Sequence, residues 1–111
     1  MCIKSETKSL LNALGLSAKY AGYGCIVQAV DIAYNDPQAL TLVSKRLYPE
    51  VARRCGSTPM SVERNIRTAI AFVWKASPGR LQELTQFPIQ DKPPSAQFIA
   101  ILVSALQQSA P

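Results

Sequence analysis

Ser61, Arg64, Thr68 and Lys75 recur at spacings of three, four and seven residues, with Met60 and Arg67 on one flank and Asn65 on the other. At about 3.6 residues per turn they share the polar face of one helix. A guanidinium fork, an ammonium and short hydroxyls on one solvent face are hydrogen-bond donors suited to phosphates and other anions. The opposite face supplies the reason for a helix. Val62, Ile66, Ala69, Ile70, Val73 and Trp74 recur at three and four and form one apolar stripe. Thr58 is placed to cap the first turn, and Pro59 follows where a missing N–H costs nothing.

A second element must hold this helix. Upstream, Pro49 opens a short helix with Val51 and Ala52 as its apolar contact and Arg53 and Arg54 in its last turn, where cations suit the helix dipole. Gly56 ends it, and only a few residues remain before Pro59. Short helix, tight turn and longer helix over residues 47–76 are the layout of a helix-turn-helix, whose second helix enters the DNA major groove. Any amphipathic helix has a solvated face, so the pattern alone also fits plain all-α packing. Charge placement separates the two. Residues 45–80 hold eight cations (Lys45, Arg46, Arg53, Arg54, Arg64, Arg67, Lys75, Arg80) against Glu50 and Glu63, a net of +6. The remainder holds four cations against five carboxylates, so the chain's net +5 resides in this window. A concentrated surplus is an electrostatic footprint for phosphates.

Composition excludes much else. The 111 residues suffice for one domain (residues 1–111) with its own core. There is no histidine, which removes imidazole acid–base chemistry and His-liganded zinc. The seven carboxylates form no convincing pair, and no phosphate-binding glycine loop or nucleophile elbow occurs. The expectation is a protein that is not an enzyme and takes no cofactor or metal. Cys2, Cys25 and Cys55 are three, far apart, and read as reduced thiols, with Cys25 a small core residue and Cys55 a candidate redox-sensitive thiol at a helix end. No apolar run approaches the length of a membrane span and no secretory leader is evident, so the expected location is cytoplasmic.

The remaining signals are helical too. Ser5 reads as the cap of a helix through Leu14, with Leu10, Leu11 and Leu14 inward and Gly15 as its stop. Residues 22–34 read as a second helix with Ile26, Ala29, Val30 and Ala33 on one side. Asp36 and Pro37 open a third through about Arg46. Ser77 and Pro78 precede a short segment over 81–87, and Pro88, Pro93 and Pro94 mark a connection. Ser95 caps a last helix over about 95–108, with Phe98, Ile101, Leu102, Ala105 and Leu106 as its stripe. Ile99 and Val103 lie off that stripe, and two readings follow: they close the core, or they meet a second subunit.

Four pieces in order carry a resemblance: LLNALGLSAKYAGY at 10–23, YNDPQALTLVSKRLYPEVARR at 34–54, STPMSVERNIRTAIAFVW at 57–74 and KPPSAQFIAILVSAL at 92–106. Together they resemble the C-terminal DNA-binding domain of the stage zero sporulation protein A response-regulator family. The V-E-R-x-I-R-x-A-I core, residues 62–70, is its most specific part. The resemblance implies an all-α bundle of about six helices containing a helix-turn-helix. It also implies a transcription regulator that binds short guanine-containing promoter boxes, often in tandem. Glu63 and Arg64, with Ser61, would then read base edges: arginine can fork onto guanine O6 and N7, and glutamate can accept from cytosine N4. Arg54, Thr58, Asn65, Arg67, Thr68 and Lys75 would lie on the DNA backbone, fixing register without reading sequence. Double-stranded DNA is the implied partner, with a homodimer on DNA and the sigma factor of RNA polymerase as further candidates.

Three departures qualify the match. Ser61 stands where the family usually carries a base-reading arginine, which would remove about 1–3 kcal/mol of discrimination. The family's regulators carry an N-terminal receiver domain, for which 111 residues leave no room, so the resemblance implies an excised domain or a stand-alone reader. Residues 75–91, which in the family help to contact sigma factor, match poorly. Two rival readings stand beside the sequence-specific reader. One is a protein-interaction module that pairs with a full-length regulator and modulates it, motivated by Ser61 and the apolar last helix. The other is a nonspecific DNA binder using the basic window alone.

Overall fold

The computed structural model describes residues 2–109. Six α-helices follow in order: α1 (Ile3–Ala13), α2 (Ala21–Asn35), α3 (Tyr48–Cys55), α4 (Pro59–Ala76), α5 (Pro78–Glu83) and α6 (Ser95–Ser109). Among the described residues there is no strand, as an all-α bundle requires. α2 is the hub, packing against α1, α3, α4 and α6. Its composition explains that place. Tyr23, Cys25, Ile26, Val27, Ala29, Val30, Ile32 and Ala33 are all buried, so it is apolar nearly all round, as a central helix must be.

Helix starts depart from the local signals in several places. α1 begins at Ile3 rather than at a Ser5 cap, with Cys2 at its N-cap and no side-chain bond there. Ile3 packs against the core, and the Thr7 hydroxyl donates to the Ile3 carbonyl at 2.7 Å, so packing draws the helix upstream. The third helix expected from Asp36 to Arg46 is not one helix. A 3-10 turn spans Pro37–Leu40 and a π-helical turn spans Val43–Leu47, running directly into α3. Asp36 makes no capping bond and instead pairs with Arg46 at 2.8 Å. α5 starts at Pro78, without a side-chain cap from Ser77, and ends at Glu83 rather than near Phe87. Ser95 is the first residue of α6.

The last helix settles its two readings. Ile99 is 0% exposed and Val103 6%, so both are in this chain's own core beside Phe98, Leu102 and Leu106. No apolar surplus from these residues is left for a second subunit, and the interaction-module reading loses one of its two supports. Full burial of side chains this size stabilises by about 1.5–3 kcal/mol each.

Candidate nucleic-acid interface

α3, the turn at residues 56–58 and α4 form the two-helix unit at residues 47–76 anticipated from the sequence. Gly56 takes φ +63 and ψ +41, the left-handed conformation open to glycine at little cost, and α3 stops there. Thr58 has extended backbone, and its Oγ1 accepts the Ser61 N–H at 3.2 Å. α4 therefore starts with one of its orphan donors satisfied. Its inner stripe of Val62, Ile66, Ala69, Ile70 and Val73 is buried against α2 and α3, and Trp74 is half-buried. Burial of that stripe forces Met60, Arg64, Thr68 and Lys75 outward, and all four are exposed.

The expected contact residues fall into distinct settings. Arg64 is exposed with no side-chain ion pair or hydrogen bond among the described residues, and the same holds for Thr68 and Lys75. Arg67 is exposed but its Nη1 lies 3.2 Å from Glu63 Oε1, one turn earlier. Ser61 is exposed, yet its Oγ accepts from the Thr58 hydroxyl at 3.1 Å and so turns back on the cap. Thr58 is engaged in both of these bonds. Asn65 is half-buried on the side of α4 facing α2, next to Cys25. Arg54 lies away from the outer face of α4: its Nη1 donates to Asp31 Oδ2 at 2.8 Å and to Gln28 Oε1 at 3.1 Å, tying α3 to α2.

Folding also redistributes the charge counted along the chain. Asp36 returns to Arg46 and Asp31 to Arg54, both from outside the basic window. Within it Glu50 accepts from Arg53, whose guanidinium holds that carboxyl below the usual range. Arg80 donates to the Ala13 carbonyl at 2.6 Å and closes the end of α1. Among the described residues, the cations of the window left without an acidic or carbonyl partner are Lys45, Arg64 and Lys75. Two of these three, Arg64 and Lys75, lie on the outer face of α4.

Lys92 is a residue that the window missed. The irregular stretch before α6 returns beside the first half of α4, forming a shallow cleft of about 250 Å³ lined by Glu63, Arg67, Ile70, Lys92 and Ser95. No periodic signal in the sequence links Lys92 to α4, since it lies in a proline-rich connection. At the other side of the unit Cys25 is buried and Cys55 exposed, both as free thiols. Burial pushes the Cys25 thiol up, and the neighbouring Cys55 adds to this, while Asn65 acts in the opposite sense.

Among the described residues no helix is long and apolar enough to cross a membrane, and no group of side chains could hold a metal ion. The arrangement is a capped helix with a buried inner face and an exposed, partly unneutralised cationic outer face. Comparison with known families agrees with that geometry. The sequence matches the family described as sporulation initiation factor Spo0A C terminal over residues 7–106, nearly the whole chain. With the helix-turn-helix of α3 and α4 on an all-α bundle and this match along its length, the chain belongs to the Spo0A C-terminal family of DNA-binding effector domains in transcription regulation and sporulation.

Proposed function

We propose that this domain binds double-stranded DNA sequence-specifically by laying α4 in the major groove, with Arg64 and Glu63 reading base edges. Arg64 carries the reading: it is an exposed guanidinium in the second turn of the recognition helix, unpaired among the described residues, so its fork is available to guanine O6 and N7 without first breaking an ion pair. Ser61 contributes less than an arginine would, because its hydroxyl is shared with Thr58. Thr58, Arg67, Thr68 and Lys75 form the backbone grip, with Arg54 acting through its hold on α2 and Asn65, half-buried beside Cys25, at its edge. Tandem boxes would seat two copies side by side on one duplex. A sigma factor would meet the stretch after α4, where α5 and the exposed Phe87 lie. The protein so read is a binder and not an enzyme, working in the cytoplasm, where bacterial DNA is.

Fluorescence anisotropy tests this with labelled duplex carrying two guanine-containing boxes of the family, beside a scrambled duplex, at low and near-physiological salt. The boxes should be preferred at the higher salt, and Arg64→Ala, folded by circular dichroism, should lose about 1–3 kcal/mol of that preference. Full preference in the variant would remove Arg64 as a reader. Equal, salt-quenched binding of both duplexes by the unaltered protein would leave only a nonspecific phosphate grip.

A further inference from the structure

Met60 is 74% exposed, the most exposed large apolar side chain among the described residues. A lone exposed methionine is ordinary on a protein surface. This one stands in the first turn of α4, directly after Pro59, on the outer face and one turn before Arg64. The N-terminal residues of a recognition helix are those that reach base edges. Its neighbours leave that place to it. Pro59 carries no polar side-chain group, and Ser61 is bonded to the Thr58 hydroxyl at 3.1 Å. Met60 is thus the long side chain that projects from this turn.

The apolar group that base pairs present in the major groove is the thymine C5-methyl. A thioether on three rotatable bonds adapts to such a surface. Four residues of helix advance about 6 Å, and base pairs stack about 3.4 Å apart. We propose that Met60 is a specificity residue that packs on a thymine methyl within about two base pairs of the pair read by Arg64. The inference rests on the DNA-binding reading above and adds an apolar contact beside the polar ones. Preference at that position is then for thymine over cytosine, which has no methyl there.

The test starts from the duplex that the protein itself enriches from a random-sequence pool. Each thymine is replaced in turn by deoxyuridine, which removes the methyl and keeps the pairing. One position near the guanine contacted by Arg64 should lose about fourfold in affinity, the worth of one buried methyl. Met60→Ala, whose fold should survive because the side chain is exposed, should bind the thymine and uracil duplexes equally while keeping its guanine preference. Retained methyl discrimination in Met60→Ala would overturn the inference, as would an enriched duplex insensitive to every methyl. If the pool yields no enriched sequence, the sequence-specific reading itself fails, and the inference with it.

Discussion

Gly22 of α2 lies so close to Asn65 of α4 that a Cβ added to it would stand 2.3 Å from the Asn65 carbonyl oxygen and 2.7 Å from the Ala69 Cβ. α4 is seated on the hub helix at this point, and only a residue without a side chain permits the approach. Both near atoms belong to a rigid helix, so neither can swing aside. Gly22→Ala should therefore cost about 1–3 kcal/mol or more by overpacking. Gly24, two residues on, has nothing within 4 Å of an added Cβ. Gly24→Ala should be neutral or stabilise by about 0.5–1 kcal/mol, because glycine inside a helix loses more backbone entropy. Urea denaturation of the two variants checks the contrast, and equal effects would mean that α4 can shift on α2.

Thr58→Ala removes the acceptor of the Ser61 N–H at the start of α4. A loss of about 1 kcal/mol in unfolding free energy is expected, with Thr58→Ser nearly unchanged. The same change releases the Ser61 hydroxyl from its partner. A base preference that alters in Thr58→Ala but not in Thr58→Ser would show that the cap also holds Ser61 away from the bases.

Glu63 and Arg67 are paired across one turn at 3.2 Å. Arg67→Ala should weaken binding to specific and scrambled duplex alike and flatten the slope of log affinity against log salt by about one. Glu63→Gln should do the opposite to scrambled duplex, because it frees Arg67 and removes a negative charge from the side proposed to meet DNA. It should also relax preference at one base pair, since Gln no longer presents a carboxylate to cytosine N4. Salt-dependent anisotropy separates the two effects, and an unchanged slope in Arg67→Ala would take that residue off the phosphate backbone.

Cys25 sets an alkaline limit. Burial raises its thiol above the ordinary value of 9.0. The folded chain then keeps a proton that the unfolded chain releases, so stability is intact below about pH 9 and falls as pH climbs from there to the raised folded value. Cys25→Ala should start from a lower plateau, because it leaves a small cavity, yet show a shallower alkaline fall. Parallel curves above pH 9 for the two proteins would assign the fall to other groups.

Much of the two-helix unit was legible because its signals are local. Thr58, Pro59 and the buried stripe of α4 act within a turn or two of one another, and Gly56 meets a backbone need of its own residue. The same reasoning misplaced the start of α1 and joined residues 36–46 into one helix. For α1 the deciding contact was distant, Ile3 against the core; the break within residues 36–46 leaves Ala39 and Leu47 both buried and Leu42 exposed.

The amino-acid order by itself determined the helical class, the two-helix unit, the outward set on α4 apart from the half-buried Asn65, and the family, since periodicity and capping depend on residues at most a few positions apart. Tertiary structure alone decided which of those charges stay free. Asp31 reaches Arg54 from α2, and Lys92 comes beside Arg67 from a connection far along the chain. It also buried Ile99 and Val103, which the helical period left off the main stripe of α6. A charge count or a periodicity runs along one dimension, whereas ion pairing and burial depend on which surfaces meet in three.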